Sequence, residues 1–211
     1  MKPYPVPAQE TYNETKVSNS RFIAALNTAH TVEEAKNFIA RIRNQYPQAT
    51  HHVPAFLIGY GDSIIAHCSD DGEPSGTSGK PILSVIQGSG LGDAVLVVTR
   101  FFGGTKLGTG GLVRAYSEAA RKVIENTPRA IKTPTVLLKL IIPYSLFEIT
   151  ASLIRQFSGT IEQKLFETQV TLWIRLEREK NQVFSSALAE RTAGNLNQEV
   201  IRYEDVLILI K

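Results

Sequence analysis

The sequence has few of the features that mark secreted or membrane-bound proteins. Its 211 residues include one cysteine, Cys68, so no disulfide can form within the chain. The apolar runs are far shorter than the roughly 18–20 residues of a membrane span. The N-terminal stretch MKPYPVPAQE also lacks the apolar centre of a signal peptide. Together these absences predict a protein of the reducing cytoplasm that has no membrane partner.

A strong overall charge is also missing, because the net charge is only +3. Any affinity for a polyanion must therefore come from local clustering of cations. One such cluster exists, since the stretch from Ala94 to Ser117 contains no Asp or Glu. It does contain Arg100, Lys106 and Arg114.

The same stretch is rich in glycine, with five glycines in TRFFGGTKLGTGGLVRAY, Thr99 to Tyr116. Glycine in a regular element costs about 0.5–1 kcal/mol relative to alanine, so the cluster needs a reason. A buried strand, a glycine loop and a helix in this order let backbone N–H groups face an anion. We therefore predict an anion or nucleic-acid site at Lys80, Arg100, Phe102, Gly103, Gly104, Lys106, Gly108, Gly110, Gly111 and Arg114.

Packing is the alternative explanation for these glycines, through close helix–sheet approach and positive φ angles. The two named phosphate loops do not fit. A P-loop needs G-x-x-x-x-G-K-[ST], but Pro81 follows Gly79-Lys80. The dinucleotide pattern G-x-G-x-x-G is absent as well. Both explanations therefore remain open from the sequence alone.

Hydrophobic periodicity predicts a mixed α+β protein in two parts. The first part has strands within 11–28, 52–60, 63–68 and 94–101 and helices over about 31–46, 81–88 and 109–125. The second part reads strand 136–142, helix 146–157, hairpin 160–177, helix 181–193 and strand 198–210, the βαββαβ order of a ferredoxin-like domain. Two prolines predict a linker or boundary near 127–134. Trp173 is expected to face the core of the second sheet.

The segment from Ser69 to Tyr116 closely resembles the signature block of the YigZ/IMPACT family. The motifs that carry the resemblance are Asp70-Asp71-Gly72-Glu73-Pro74, Gly76-Thr77, Gly79-Lys80-Pro81, Arg100-Phe-Phe-Gly-Gly104 and Leu107-Gly-Thr-Gly-Gly111. Upstream, Ser20-Arg21-Phe22 and His51-His52 also match the family pattern. The resemblance covers nearly the whole chain.

This resemblance implies an IMPACT N-terminal-type domain over 1–130, with an α/β ribosomal-protein fold like domain two of ribosomal protein S-five. It implies a second domain over 134–211 that is ferredoxin-like and similar to the C-terminal domain of elongation factor G. Eukaryotic relatives are linked to translational control, where they compete for an activator of a starvation-sensing kinase. Function transferred through a fold is only an analogy.

Three functions follow as hypotheses. The first is a non-enzymatic, translation-linked protein that contacts RNA or the ribosome through residues 99–116. The second is a metal-dependent enzyme for a phosphorylated small molecule or nucleotide, with metal ligands Asp70, Asp71 and Glu73 and phosphate contacts Lys80 and Arg100. The third is a regulatory module that binds a translation factor or regulatory protein through its ferredoxin-like part. No cofactor is predicted, and the three acids are better explained as a turn before the Pro81 helix.

Overall fold

The computed structural model of the chain describes residues 2–210, and these residues form ten strands and five α-helices. The strands are β1 (Tyr4–Pro7), β2 (Thr11–Val17), β3 (Ser20–Thr28), β4 (His51–Tyr60), β5 (Ser63–Cys68), β6 (Ala94–Phe101), β7 (Arg129–Ile142), β8 (Thr160–Phe166), β9 (Val170–Glu177) and β10 (Asn197–Leu209). The helices are α1 (Val32–Gln45), α2 (Gly79–Gly88), α3 (Gly108–Asn126), α4 (Phe147–Gln156) and α5 (Asn181–Arg191).

Two compact units make up the described chain. The larger unit contains residues 4–131 and 208–210, and the smaller unit contains 2–3 and 132–207. Each unit has a sheet and a hydrophobic core of its own. The α+β class predicted from the sequence is confirmed.

The sheet of the larger unit places β6 at its centre, in the order β2-β3-β6-β4-β5. Helix α1 covers one face of this sheet, where Phe38 and Ile42 pack with Val95 and Val97. Helices α2 and α3 cover the other face, where they pack with Leu96 and Val98 in a separate cluster of buried residues. Strand β6 is buried on both faces, as its continuous apolar sequence predicted. It therefore holds the start of the following glycine loop in a fixed position.

Within residues 2–210 the second sheet has five strands, in which both β1 and β10 pair with β7, followed by β9 and β8. Its strands β10-β7-β9-β8 have the 4-1-3-2 order of a βαββαβ fold. Strand β9 alternates between buried and partly exposed residues. Its buried residues pack with Leu153 of α4 and Phe184 of α5. Trp173 lies on the opposite face, 5.7 Å from the ammonium of Lys139, so the expectation that it faces the core is wrong. The strand period of two places it out of phase with Leu172 and Ile174.

The prolines of 127–134 mark a boundary but not a linker. The division between the two units falls between Ile131 and Lys132, within the predicted range. The segment itself is mostly strand, because β7 begins at Arg129 and continues through Pro134. Strand β1, within the proline-rich start of the chain, was not predicted at all. Proline lacks an N–H donor but is tolerated where a strand needs no donor at that position, so proline content alone misplaced these segments.

Candidate nucleic-acid interface

The loop between β6 and α3 needs glycine at several positions for backbone reasons. A Cβ at Gly103 would overlap the carbonyl oxygen of Asn19 in the β2–β3 turn. Gly104 and Gly108 have φ angles of +83° and +70°, where other residues are strained. At Gly111 a Cβ would lie 3.0 Å from the Cβ of Leu107. Packing and backbone conformation therefore explain these four glycines.

Gly110 has no such explanation. It lies exposed in the first turn of α3 and has no positive φ. A Cβ at this position would approach only the terminal Nη1 of Arg114, at 3.8 Å, which is an ordinary van der Waals distance. An exposed glycine inside a helix destabilises it without any compensating contact from the protein. A ligand that approaches the backbone closely would supply that missing reason.

The N-terminus of α3 is open to solvent and electropositive. Among residues 2–210 no side chain caps this helix, and its first turn holds no acidic residue. The first four N–H groups of an α-helix have no partner within the helix. They also carry the positive end of the helix dipole, which favours an anion.

A groove runs along α3 beside this terminus, and we call it the basic groove. It has a volume of about 740 Å³, and Lys106, Arg114 and Arg121 line it together with Val17 of β2. The Arg121 guanidinium is 2.7 Å from the carboxylate of Glu118. Lys106 and Arg114 are exposed and form no ion pair within the described chain. The sequence-predicted cations Lys106 and Arg114 thus share one accessible surface.

A second cavity of about 350 Å³ lies at the start of α3, and we call it the aromatic pocket. Its lining includes Phe102, Lys106, Gly108, Arg100 and Glu73. The side chain of Phe102 is 46% exposed, and its backbone N–H donates to the hydroxyl of Thr50 at 3.1 Å. Lys106 lines both the aromatic pocket and the basic groove, so the two sites adjoin each other.

A buried polar network lies beneath the pocket and holds Arg100. The guanidinium of Arg100 donates to Glu73 at 2.7 Å and to the hydroxyl of Ser20 at 3.3 Å. The hydroxyl of Tyr116 donates to the same Glu73 oxygen at 2.7 Å. Burial, followed by the bond to Glu73, raises the pKa of Tyr116 far above its ordinary value, so it remains a donor. Arg100 is only 5% exposed and therefore does not act as a free surface cation.

The three acids proposed as metal ligands all have protein partners. Asp70 accepts from the backbone N–H groups of Gly76 at 2.8 Å and Gly79 at 2.9 Å, and so caps α2. Partial burial opposes ionisation of Asp70, but these hydrogen bonds outweigh it and lower its pKa. Asp71 pairs with Arg43, and Glu73 pairs with Arg100. In the part of the chain that the structure describes, no three His, Cys, Asp or Glu side chains form a metal-binding group.

Lys80 and the paired histidines do not line the basic groove or the aromatic pocket. Lys80 lines a different cavity beside α2, which adjoins the basic groove because Val113 and Ser117 line both. Nε2 of His52 is 3.0 Å from the carbonyl of Tyr46, and Nδ1 of His51 is 2.8 Å from that of Asp71. The two side chains have separate partners, and neither lines the basic groove.

Sequence reasoning missed the residues that hold the loop in place. The hydroxyl of Ser20 accepts from the backbone N–H of Gly103 at 3.3 Å as well as from Arg100. Thr50 and Tyr116 were likewise not selected, although both anchor the site. Serine, threonine and tyrosine at these positions carry no local signal, because their partners lie far away in sequence.

The chain matches known domains and proteins along most of its length. The Impact N-terminal domain matches residues 18–124, and a domain of unknown function, DUF1949, matches 140–195. The chain is 37% identical to an IMPACT family member of Haemophilus influenzae over 93% of this chain and 96% of that protein. It is 36% identical to the IMPACT family member YigZ of Escherichia coli, over 93% and 97% of the two chains.

Further relatives agree with this assignment. The IMPACT family member YvyE of Bacillus subtilis is 33% identical over 86% of this chain and 83% of its own. A crystal structure described as that of an hypothetical protein superposes with a TM-score of 0.66 at 35% identity, over 96% and 98% of the chains. No helix among residues 2–210 is long and apolar enough to cross a membrane. By its matching domain and its full-length relatives, the chain belongs to the IMPACT family.

Proposed function

We propose that this protein is a non-enzymatic, cytoplasmic RNA-binding protein that contacts the phosphate backbone of structured RNA through the basic groove. The single observation that carries the proposal is the pair of exposed, unpaired cations, Lys106 and Arg114, in one groove on α3. The uncapped N-terminus of α3 adds a third source of positive potential. Its link to translation, and ribosomal RNA as a target, rest on the family resemblance.

The geometry of the groove suits a backbone contact rather than reading of bases. Lys and Arg side chains contribute most of the sequence-independent affinity for nucleic acids. The exposed Gly110 beside Arg114 leaves room for a phosphate to approach the helix backbone closely. We therefore expect affinity without strong sequence preference.

The metal-dependent enzyme is less well supported. Each of its proposed ligands, Asp70, Asp71 and Glu73, already makes an ion pair or several hydrogen bonds inside the protein. Withdrawing Glu73 from Arg100 would leave a buried charge without compensation. The third hypothesis, a protein partner for the ferredoxin-like unit, has no specific contact in its favour.

Fluorescence anisotropy with a labelled RNA hairpin tests the proposal, at about 50 and about 200 mM salt. We expect Lys106→Glu and Arg114→Glu each to weaken binding. Each should also reduce the slope of log affinity against log salt by about 1 per phosphate contact removed. Lys36→Glu is the matched control, because Lys36 is exposed on α1, which covers the opposite face of the sheet. Absence of binding at low salt, or equal effects of all three variants, would overturn the proposal.

A further inference from the structure

We infer that the aromatic pocket holds one unpaired nucleotide of the bound RNA, with its base against Phe102 and its phosphate at the N-terminus of α3. This inference rests on the proposed function and names the part of the RNA that the protein selects. It shares Lys106 and the N-terminus of α3 with the proposed function, and three further observations carry it. They are the exposed ring of Phe102, the unpartnered Nε–H of Arg100 and the size of the pocket.

The phosphate side of the pocket has several donors and a net positive environment. Gly108 and Thr109, in the uncapped first turn of α3, line the pocket together with Lys106. Arg100 also lines the pocket and is only 5% exposed. Its Nε–H has no hydrogen-bond partner among the described residues. A buried donor without a partner is costly, and a phosphate oxygen is the kind of acceptor that would satisfy it.

One negative group, Glu73, also lines the pocket and opposes anion binding. Its charge is compensated by Arg100 at 2.7 Å, and its Oε1 also accepts the hydroxyl of Tyr116 at 2.7 Å. Nε2 of His51 lies 3.8 Å from the same oxygen. The cation of Lys106 and the α3 dipole then remain as uncompensated positive charge at the mouth of the pocket.

The base side of the pocket is formed by Phe102. Its ring is exposed to solvent, and its backbone is fixed by the hydrogen bond to Thr50. The guanidinium carbon of Arg100 lies 5.4 Å from the ring centroid, so the ring carries a cation on one side. Exposed aromatic rings next to cationic groups form stacking platforms for unpaired bases, whatever the base identity.

The size of the pocket selects single-stranded rather than paired nucleotides. Its volume of about 350 Å³ is small, and suits one ligand unit rather than a helix. Bases inside an RNA duplex are stacked on each other and cannot reach Phe102. A blunt RNA duplex has no unpaired nucleotide and can therefore contact the basic groove alone, whereas a single strand that extends beyond a duplex can also enter the pocket past Lys106.

The test compares two RNAs by anisotropy at low salt with the full chain. One is a blunt-ended RNA duplex made of two strands, and the other is the same duplex with a short single-stranded extension. We expect the extension to improve affinity by roughly tenfold, as stacking of one base does. Phe102→Ala should abolish this gain, so that the variant binds the two RNAs with equal affinity. Phe102→Tyr, which keeps the ring, should keep the gain.

Phe166→Ala is the matched control, because Phe166 is 47% exposed and lies in the smaller unit. Equal binding of both RNAs by the wild-type chain would overturn the inference but leave the proposed function intact. So would a gain that survives Phe102→Ala. Failure of both RNAs to bind would instead overturn the proposed function, and the inference with it. Thermal unfolding of each variant identifies any loss that comes from misfolding.

Discussion

Glu73 joins two side chains that lie far from it in the sequence. It lies in the loop before α2, accepts from Arg100 at the end of β6 and from Tyr116 in α3, and is itself buried. A buried ion pair contributes little net stability compared with an apolar substitute, but removal of one partner leaves a costly charge. Glu73 therefore stabilises the fold, and its substitution should lower the free energy of unfolding.

We predict that Glu73→Gln lowers the free energy of unfolding by about 3–5 kcal/mol, because Arg100 remains buried without a counter-charge. Urea denaturation followed by circular dichroism measures the change. Glu125→Gln, at an exposed position in α3, is the control and should leave stability nearly unchanged. A loss below about 1 kcal/mol would mean that solvent or another group compensates Arg100.

Individual side chains were the least predictable part of the site. The acid-free stretch correctly drew attention to Arg100, Lys106 and Arg114, but their environments differ. Arg100 is buried because Glu73 and Ser20 surround it, and these partners are brought together only by the fold. No local pattern distinguishes a buried arginine from an exposed one. By contrast, Lys106 and Arg114 have no such partners and remain on the surface.

At the scale of elements, α3 combines two glycines with opposite requirements in one turn. Gly108 has a φ of +70°, whereas Gly110 does not have a positive φ and meets no neighbouring backbone. Replacing each glycine with alanine therefore distinguishes a glycine that the backbone conformation requires from one that ligand access requires.

We predict that Gly110→Ala stabilises the protein by about 0.5–1 kcal/mol, the helix preference of alanine over glycine. The same change should weaken RNA binding, because its methyl group occupies the approach to the α3 backbone. Gly108→Ala, in contrast, should destabilise the protein by about 1 kcal/mol through its left-handed backbone. Thermal unfolding and anisotropy on both variants provide the measurements. A stabilised Gly110→Ala variant with unchanged affinity would show that nothing approaches this turn.

Regular elements were largely predictable because their signals are local. The apolar run of β6 and the helical spacing of α3 identified both elements, and the resulting loop position was correct. The segment around Pro128 and Pro134 contains the boundary between the two units, but it is a strand rather than a linker, because strand pairing by β7 overrides the proline signal. The prediction that Trp173 faces the core was wrong because a shift of one residue in a strand moves a side chain to the other face.

At the scale of the whole molecule, the two units have separate hydrophobic cores, and the predicted RNA contacts all belong to residues 4–131. The net charge of +3 is too small to attract RNA by itself, so affinity must come from the local groove. Whether the smaller unit contributes to RNA binding can therefore be tested by destabilising its hydrophobic core.

We predict that Leu172→Ala, a fully buried position in the core of the smaller unit, costs about 2–5 kcal/mol of stability. Its affinity for the blunt RNA duplex should match that of the wild type under conditions where the variant is folded. The counterpart Leu96→Ala perturbs the core beneath α3 and should weaken binding. Lost affinity in folded Leu172→Ala would mean that the smaller unit also contributes contacts.

The anchoring of the loop after β6 has a consequence for the kinetics and thermodynamics of association. The hydroxyls of Ser20, at the start of β3, and Thr50, just before β4, accept from backbone N–H groups of this segment before any partner arrives. Asn19 in the β2–β3 turn donates to the hydroxyl of Thr105 at 3.3 Å. A recognition surface of this kind is preorganised, so little conformational entropy is lost on complex formation. Encounter with a polyanion can then proceed at a rate set by diffusion and electrostatic steering, without a slow folding step of the receptor.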